Sequence, residues 1–129
     1  MSDYESVEEI RILANKLYNA DLKKTTYKYD YFDLIDNNNK IIIEVKHRSI
    51  LSNQYPTTII GYNKYIKGIE YRKKGYRVFY FFKYADGVFY YEYTNQIYEP
   101  KRGGLCNKSK NEVQNYIYIN IKDLIKIDG

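Results

Sequence analysis

The chain has 129 residues, 44% hydrophobic and 29% charged, with a net charge of +5 at pH 7; this suits one domain with a single core and leaves no room for two. A single cysteine and a single histidine exclude an internal disulfide and a cysteine-based zinc site, and fit a reducing compartment. The positive balance favours anionic partners, and no apolar run reaches membrane-spanning length.

Ser6-Val-Glu-Glu9 reads as a capping box, so a helix is predicted to begin near Ser6. Val7, Ile10, Leu13, Ala14 and Leu17 recur at helical spacing as its apolar stripe, with Glu9 at the stripe's edge. From Tyr27 the period changes to two. Tyr31, Asp33 and Ile35 share one face of a strand, and Asp30, Phe32 and Leu34 share the other. Asp36-Asn37-Asn38-Asn39-Lys40 signals a turn, and Ile41 to Lys46 is the next strand. A loop at 37–40 sets Asp33 opposite Glu44 on one face of this hairpin, whereas a slip of one residue would separate them.

A second helix is predicted after Pro56, burying Ile59, Tyr62, Ile66 and Ile69; Gly61 and Gly68 either weaken it or permit close packing on the sheet. Tyr76–Tyr84 and Val88–Thr94, joined at Ala85-Asp86-Gly87, read as a hairpin. Residues 99–112 form a basic loop, Tyr116–Ile121 a last strand, and a short segment to Ile127 closes the chain. The predicted fold is mixed α/β (α+β), one domain over 1–129 in the order α-β-β-α-β-β-loop-β, with a central mixed sheet of about five strands flanked by helices. Tyrosine is abundant (18, with no tryptophan), as are Lys, Asn and Ile. All four have A/T-rich codons, so genomic base composition accounts for much of the bias without a dedicated aromatic surface.

The chemistry concentrates at the first hairpin. Glu44 and Lys46 point to one side of their strand while Val45 points into the packing. Asp33 and Glu44 are hard oxygen donors of the kind magnesium prefers, and the Val45 carbonyl lies between them and Lys46 as a further donor. Lys46 can hold an attacking water or offset charge on phosphoryl oxygens. A Glu-x-Lys pair alone is common on exposed strand faces; the apolar strand before it and an acid at suitable distance give it weight. Asp30 is the competing acid, but its parity opposes that of Asp33.

Asp33 followed by Glu44-Val45-Lys46, after a helix bearing Glu9, resembles the PD-(D/E)xK nuclease superfamily over about residues 5–94, and within it the Holliday-junction-resolvase-like and virus-type replication-repair nucleases. The resemblance implies a restriction-endonuclease-like core and a metal-dependent nuclease that hydrolyses phosphodiester bonds of DNA rather than RNA. It implies Mg2+ or Mn2+ as cofactor, Asp33, Glu44 and Lys46 as catalytic residues, and Asp33, Glu44 and the Val45 carbonyl as metal ligands. Relatives place a glutamate of the first helix near the metals, which would be Glu9, or else Glu8; the capping box is a sufficient alternative role for Glu9. The family's proline has no counterpart, since Tyr31-Phe32 precedes Asp33.

Lys64, Lys67, Lys101, Arg102 and Gln54 are candidates for nucleic-acid contact; a solvated helix face (Lys64, Lys67) and plain loop residues are the competing readings. His47 is expected to point away from Glu44 and Lys46 and to be packed or solvated. Relatives act as dimers, so the resemblance allows a homodimer. The alternatives are a non-catalytic nucleic-acid-binding module on this scaffold, or a viral protein that binds a partner through its tyrosine-rich surface. The acidic, polar start of the chain is unlike a secretion leader, so the expected location is the cytoplasm, or the host cytoplasm or nucleus for a viral protein.

Overall fold

Two buried segments, Ile41-Ile-Ile-Glu-Val and Val78-Phe-Tyr-Phe-Phe, lie side by side as the parallel centre of a six-stranded sheet. A computed structural model describes residues 3–25, 32–103 and 114–127. In chain order these hold helix α1 (Asp3–Tyr18), strands β1 (Lys23–Lys24), β2 (Leu34–Asp36), β3 (Ile41–His47) and β4 (Thr57–Gly61), then helix α2 (Tyr62–Lys73). Strands β5 (Arg77–Tyr84), β6 (Gly87–Tyr93), β7 (Lys101–Gly103) and β8 (Gln114–Asn120) follow, and a short 3-10 turn (Ile121–Asp123) leads to β9 (Ile125–Ile127). The large sheet runs β1-β2-β3-β5-β6-β9, and β4-β8-β7 form a three-stranded sheet. This is the mixed sheet flanked by helices that the sequence led us to expect. Among the described residues no helix is long and apolar enough to cross a membrane.

The buried segments of β3 and β5 are apolar on both faces, apart from Glu44 in β3, because both of their faces are covered. On one face, Ile41, Ile43, Val45, Phe79 and Phe81 pack under Ile10 and Ala14 of α1. On the other, Ile42, Val78, Tyr80 and Phe82 pack with Tyr65 of α2 and with Ile60, Ile117 and Ile119 of the small sheet. Removing any of the buried phenylalanines of β5 would cost about 3–5 kcal/mol. The turn between β2 and β3 is built by Asp36, whose carboxylate accepts hydrogen bonds from the amides of Asn38 and Asn39 (both 3.0 Å) and from that of Asp21 (2.8 Å). Lys40 closes the turn in the left-handed region at φ 56°. Helix α2 ends at Lys73 and is closed by Gly75, φ 93°, whose amide bonds to Arg72 O at 3.0 Å while that of Tyr76 bonds to Tyr71 O at 3.1 Å. This paired closure requires the left-handed residue that glycine supplies.

Several expectations need correction. Helix α1 starts at Asp3, so Ser6 lies within it and is not a cap; its hydroxyl lies 3.0 Å from Nδ1 of His47. Leu17 is exposed, beyond the stripe assigned to it. Phe32 joins the α2-side cluster while Leu34 joins the α1 side, because the chain bends at residues 32–33. Residues 57–61 form β4 and not the start of a helix; Ile59 lies in that strand, and Tyr65 and Gly68 are the buried positions of α2, with Ile66 exposed. The segment after the last predicted strand contains β9, which pairs with β6. Within the loop expected at 99–112, Lys101–Gly103 form β7 against β8; Asp30, the start of the strand predicted from Tyr27, and positions 104–112 fall outside the described residues.

Candidate active site

Register assembles the cluster. Leu34 pairs with Ile43 and Ile35 with Ile42, where the ladder ends; Asp33, at the bend just before β2, meets Glu44 through a side-chain hydrogen bond. Glu44 faces the α2 side, since Ile42 packs there. Asp33 is held by main-chain groups: its amide donates to Ile43 O at 3.0 Å, and its Oδ2 accepts from the Val45 amide at 2.8 Å. A strand residue sends its N–H and C=O toward the same edge, so the Val45 carbonyl points to the Asp33 side.

Glu44 is 3% exposed. Two ammonium groups meet its Oε2: Lys46 Nζ at 3.3 Å and Lys64 Nζ at 3.4 Å. Burial, then the hydrogen bond and charge of Asp33, nevertheless push the Glu44 carboxyl up to about 7. Two acids therefore crowd one small space that the lysines only partly neutralise. This is the electrostatic deficit that a divalent cation relieves, and the oxygens are hard donors suited to magnesium or manganese. The residues present fit such an ion: Asp33 and Glu44 would supply carboxylates and Val45 its carbonyl. Among the described residues no three His, Cys, Asp or Glu side chains cluster as a metal site, so two carboxylates are the side-chain donor set.

Lys64 reaches the cluster through a chain of packing contacts. Tyr80, the β5 partner of Glu44 in the parallel ladder, donates its hydroxyl to Lys64 O at 3.1 Å. It can do so because residue 68 is glycine. A β-carbon at Gly68 would overlap the Tyr80 hydroxyl and press on Val78 Cγ1 at 3.2 Å. Lys64 was expected only as a nucleic-acid contact, and no spacing signal ties the helix to Glu44.

The other candidates lie elsewhere. Glu9 sits on the α1 side, its Oε1 3.3 Å from Lys83 Nζ, and Lys83 shares the sheet face of Phe79 and Phe81. It is therefore across the sheet from Glu44, and neither the capping role nor the cluster claims it. Glu8 pairs with Arg11 at 2.6 Å and Lys24 at 3.1 Å. His47 points away from Glu44 as expected and lies between the hydroxyls of Ser6 and Ser49. Lys67 pairs with Glu70 at 3.2 Å. Gln54 is exposed in the turn before β4, its amide on Leu51 O. Arg102 is exposed on β7, and the Lys101 ammonium lies 5.7 Å from the centre of the Tyr118 ring.

An aspartate delivered by one hairpin strand to the Glu-x-Lys of the next is the pattern that defines the PD-(D/E)xK nucleases, and a mixed sheet with a helix on either face is their fold. The chain belongs to the family "Phage putative PDDEXK endonuclease", which it matches over residues 1–127. Its structure is similar to that of Hjc from Archaeoglobus fulgidus, a Holliday junction resolvase from an archaeal hyperthermophile. The TM-score is 0.50 at 16% sequence identity, over 85% of this chain and 86% of that one; at that identity the likeness is one of fold. No curated protein matches the sequence.

Proposed function

We propose that the protein is a divalent-metal-dependent endonuclease that hydrolyses phosphodiester bonds of DNA, with Asp33, Glu44, Lys46 and Lys64 as its working groups. The observation that carries this reading is the meeting of Asp33 and Glu44 on one sheet face, with Lys46 3.3 Å from the Glu44 carboxylate. Membership of a phage endonuclease family supports it, and the likeness to a resolvase favours DNA over RNA and a role in recombination or repair. A magnesium or manganese ion held there would polarise the scissile phosphate and acidify a water molecule. Asp33 is held by the Val45 amide and hydrogen-bonded to Glu44, which keeps its carboxylate in the cluster. Lys46 orients the attacking water or offsets charge on the phosphoryl oxygens, and Lys64 supplies a second cation where charge accumulates. The possibility of a homodimer, which two-strand cleavage would use, belongs to the same proposal.

The test is incubation of the full chain with supercoiled, branched and single-stranded DNA, in magnesium or in chelator. Cutting that requires metal and disappears in Asp33→Asn and Glu44→Gln, with DNA binding retained, supports the proposal. Metal-independent binding without cutting would replace it with a binding module.

A further inference from the structure

Beyond Lys46 the same strand runs into a groove of about 560 Å³. Arg48 lies two residues past Lys46, about 7 Å further along an extended chain, and its amide continues the ladder by bonding to Lys83 O at 2.8 Å. The opposite wall is β4, which leads from Thr57 in the groove through Gly61 into α2 and so to Lys64. Two walls therefore connect groove and catalytic cluster. At the cluster end Lys46 and Lys64 meet on Glu44; at the groove end an Arg48 Nη2 donates to Ile59 O at 3.2 Å and ties the walls together.

The lining is aromatic, with a few polar tips. Tyr55 stands at the rim, 59% exposed, Tyr84 lies buried, and Tyr116 and Tyr118 present half-buried rings from one face of β8. Thr57 and Arg48 add a hydroxyl and a guanidinium. Lys101, 5.7 Å from the Tyr118 ring centre, brings another positive charge beside it. Flat apolar walls with positive charge along them match a nucleobase on a negatively charged backbone. A base inside a duplex is stacked on its neighbours and cannot enter such a groove, whereas an unpaired one can.

Resting on the nuclease reading above, we propose that this groove binds the base of an unpaired nucleotide one or two positions from the scissile phosphate, so that the enzyme selects DNA with a single-stranded segment at the cleavage point. Tyr55, Tyr116 and Tyr118 offer ring faces or edges to the base, and Arg48 its guanidinium plane or donors. Arg48 and Lys101 accompany the flanking phosphates.

The experiment measures affinity of the full chain, in chelator so that nothing is cut, for blunt duplex and for the same duplex with a single-stranded tail. The wild type is expected to prefer the tailed DNA by about tenfold or more, the scale of base–aromatic stacking. Tyr118→Leu with Tyr55→Ala should remove that preference, and Tyr118→Phe should keep it. Replacing single tail nucleotides by abasic ones should reproduce the loss with the wild-type protein, and should do nothing further in the double variant. Equal affinity for the two DNAs, or a preference indifferent to ring removal and to abasic sites, overturns the proposal. Magnesium-dependent cutting with no tail preference would sink the groove and leave the nuclease; ring-dependent tail preference without cutting would sink the nuclease and leave the groove.

Discussion

Glu44→Gln should abolish cleavage and yet stabilise the metal-free protein above neutral pH. A carboxyl moved from the ordinary 4.5 to about 7 by burial and by Asp33 holds its proton more tightly in the folded chain than in the unfolded one. Its contribution to stability is therefore complete below pH 4.5 and is lost as pH rises through about 7. Fully ionised, it costs folding about 3 kcal/mol, at about 1.4 kcal/mol per tenfold change in proton affinity. Glutamine keeps the shape and carries no charge at any pH. The attraction of Lys46 and Lys64 is already contained in that balance, so the gain at pH 8 is about 3 kcal/mol. For a chain of this length the gain corresponds to a rise in Tm of about 9 °C. Thermal melts followed by circular dichroism in EDTA, at pH 5 and pH 8, give the comparison directly. Variant and wild type should melt together at pH 5 and separate at pH 8, and saturating magnesium at pH 8 should close the gap by stabilising only the wild type. The same Tm difference at both pH values would refute the reasoning, since an uncharged contact has no cause to depend on proton concentration.

Asp33→Asn and Lys46→Ala should each lower the rate of magnesium-dependent DNA cleavage by at least about a hundredfold; a single-turnover assay with rates within tenfold of wild type would remove these residues from the chemistry. Gly68→Ala should destabilise the fold by about 1–3 kcal/mol through overlap with the Tyr80 hydroxyl. Adding Tyr80→Phe should recover part of that loss in urea denaturation, and strictly additive effects would contradict the contact. Asp36→Ala should cost about 2–4 kcal/mol, because a buried carboxylate there organises the β2–β3 turn and the Asp21 amide. Burial alone would raise its pKa, but bonds from Asn39, Asp21 and Asn38 carry it below the ordinary value. The stabilisation from Asp36 is accordingly present above pH 4 and fades as pH falls, so wild type and variant should converge in acid melts.

The hairpin was legible because its signals are local: an Asx turn, an apolar strand and an alternation that fixes parity. So were β5 and β6, where β-branched and aromatic runs flank a glycine turn. Strand β4 was misread because Ile59, Ile66 and Ile69 match helical spacing, while the partner that makes Thr57–Gly61 a strand, β8, lies more than fifty residues away. Ser6 carried a capping pattern and found a tertiary partner in His47 instead. Lys64 was expected on the second helix as a nucleic-acid contact, and its meeting with Glu44 was not foreseen; that position follows from the Gly68–Tyr80 contact, which depends on α2 crossing β5 and leaves no periodicity in the sequence. Glu9 failed because helix phase at the edge of a stripe does not say which end of the sheet, or which face, the side chain will meet.

The hydrogen bond from the Val45 amide to Asp33 has an evolutionary corollary. One oxygen of this acid is held by a peptide group, which every non-proline residue possesses. Positions flanking it can therefore drift while the hairpin stays in step, so that divergent homologues would share three or four letters and little else. Tyr31-Phe32 precede Asp33 in this chain, where the PD of the family's name has proline.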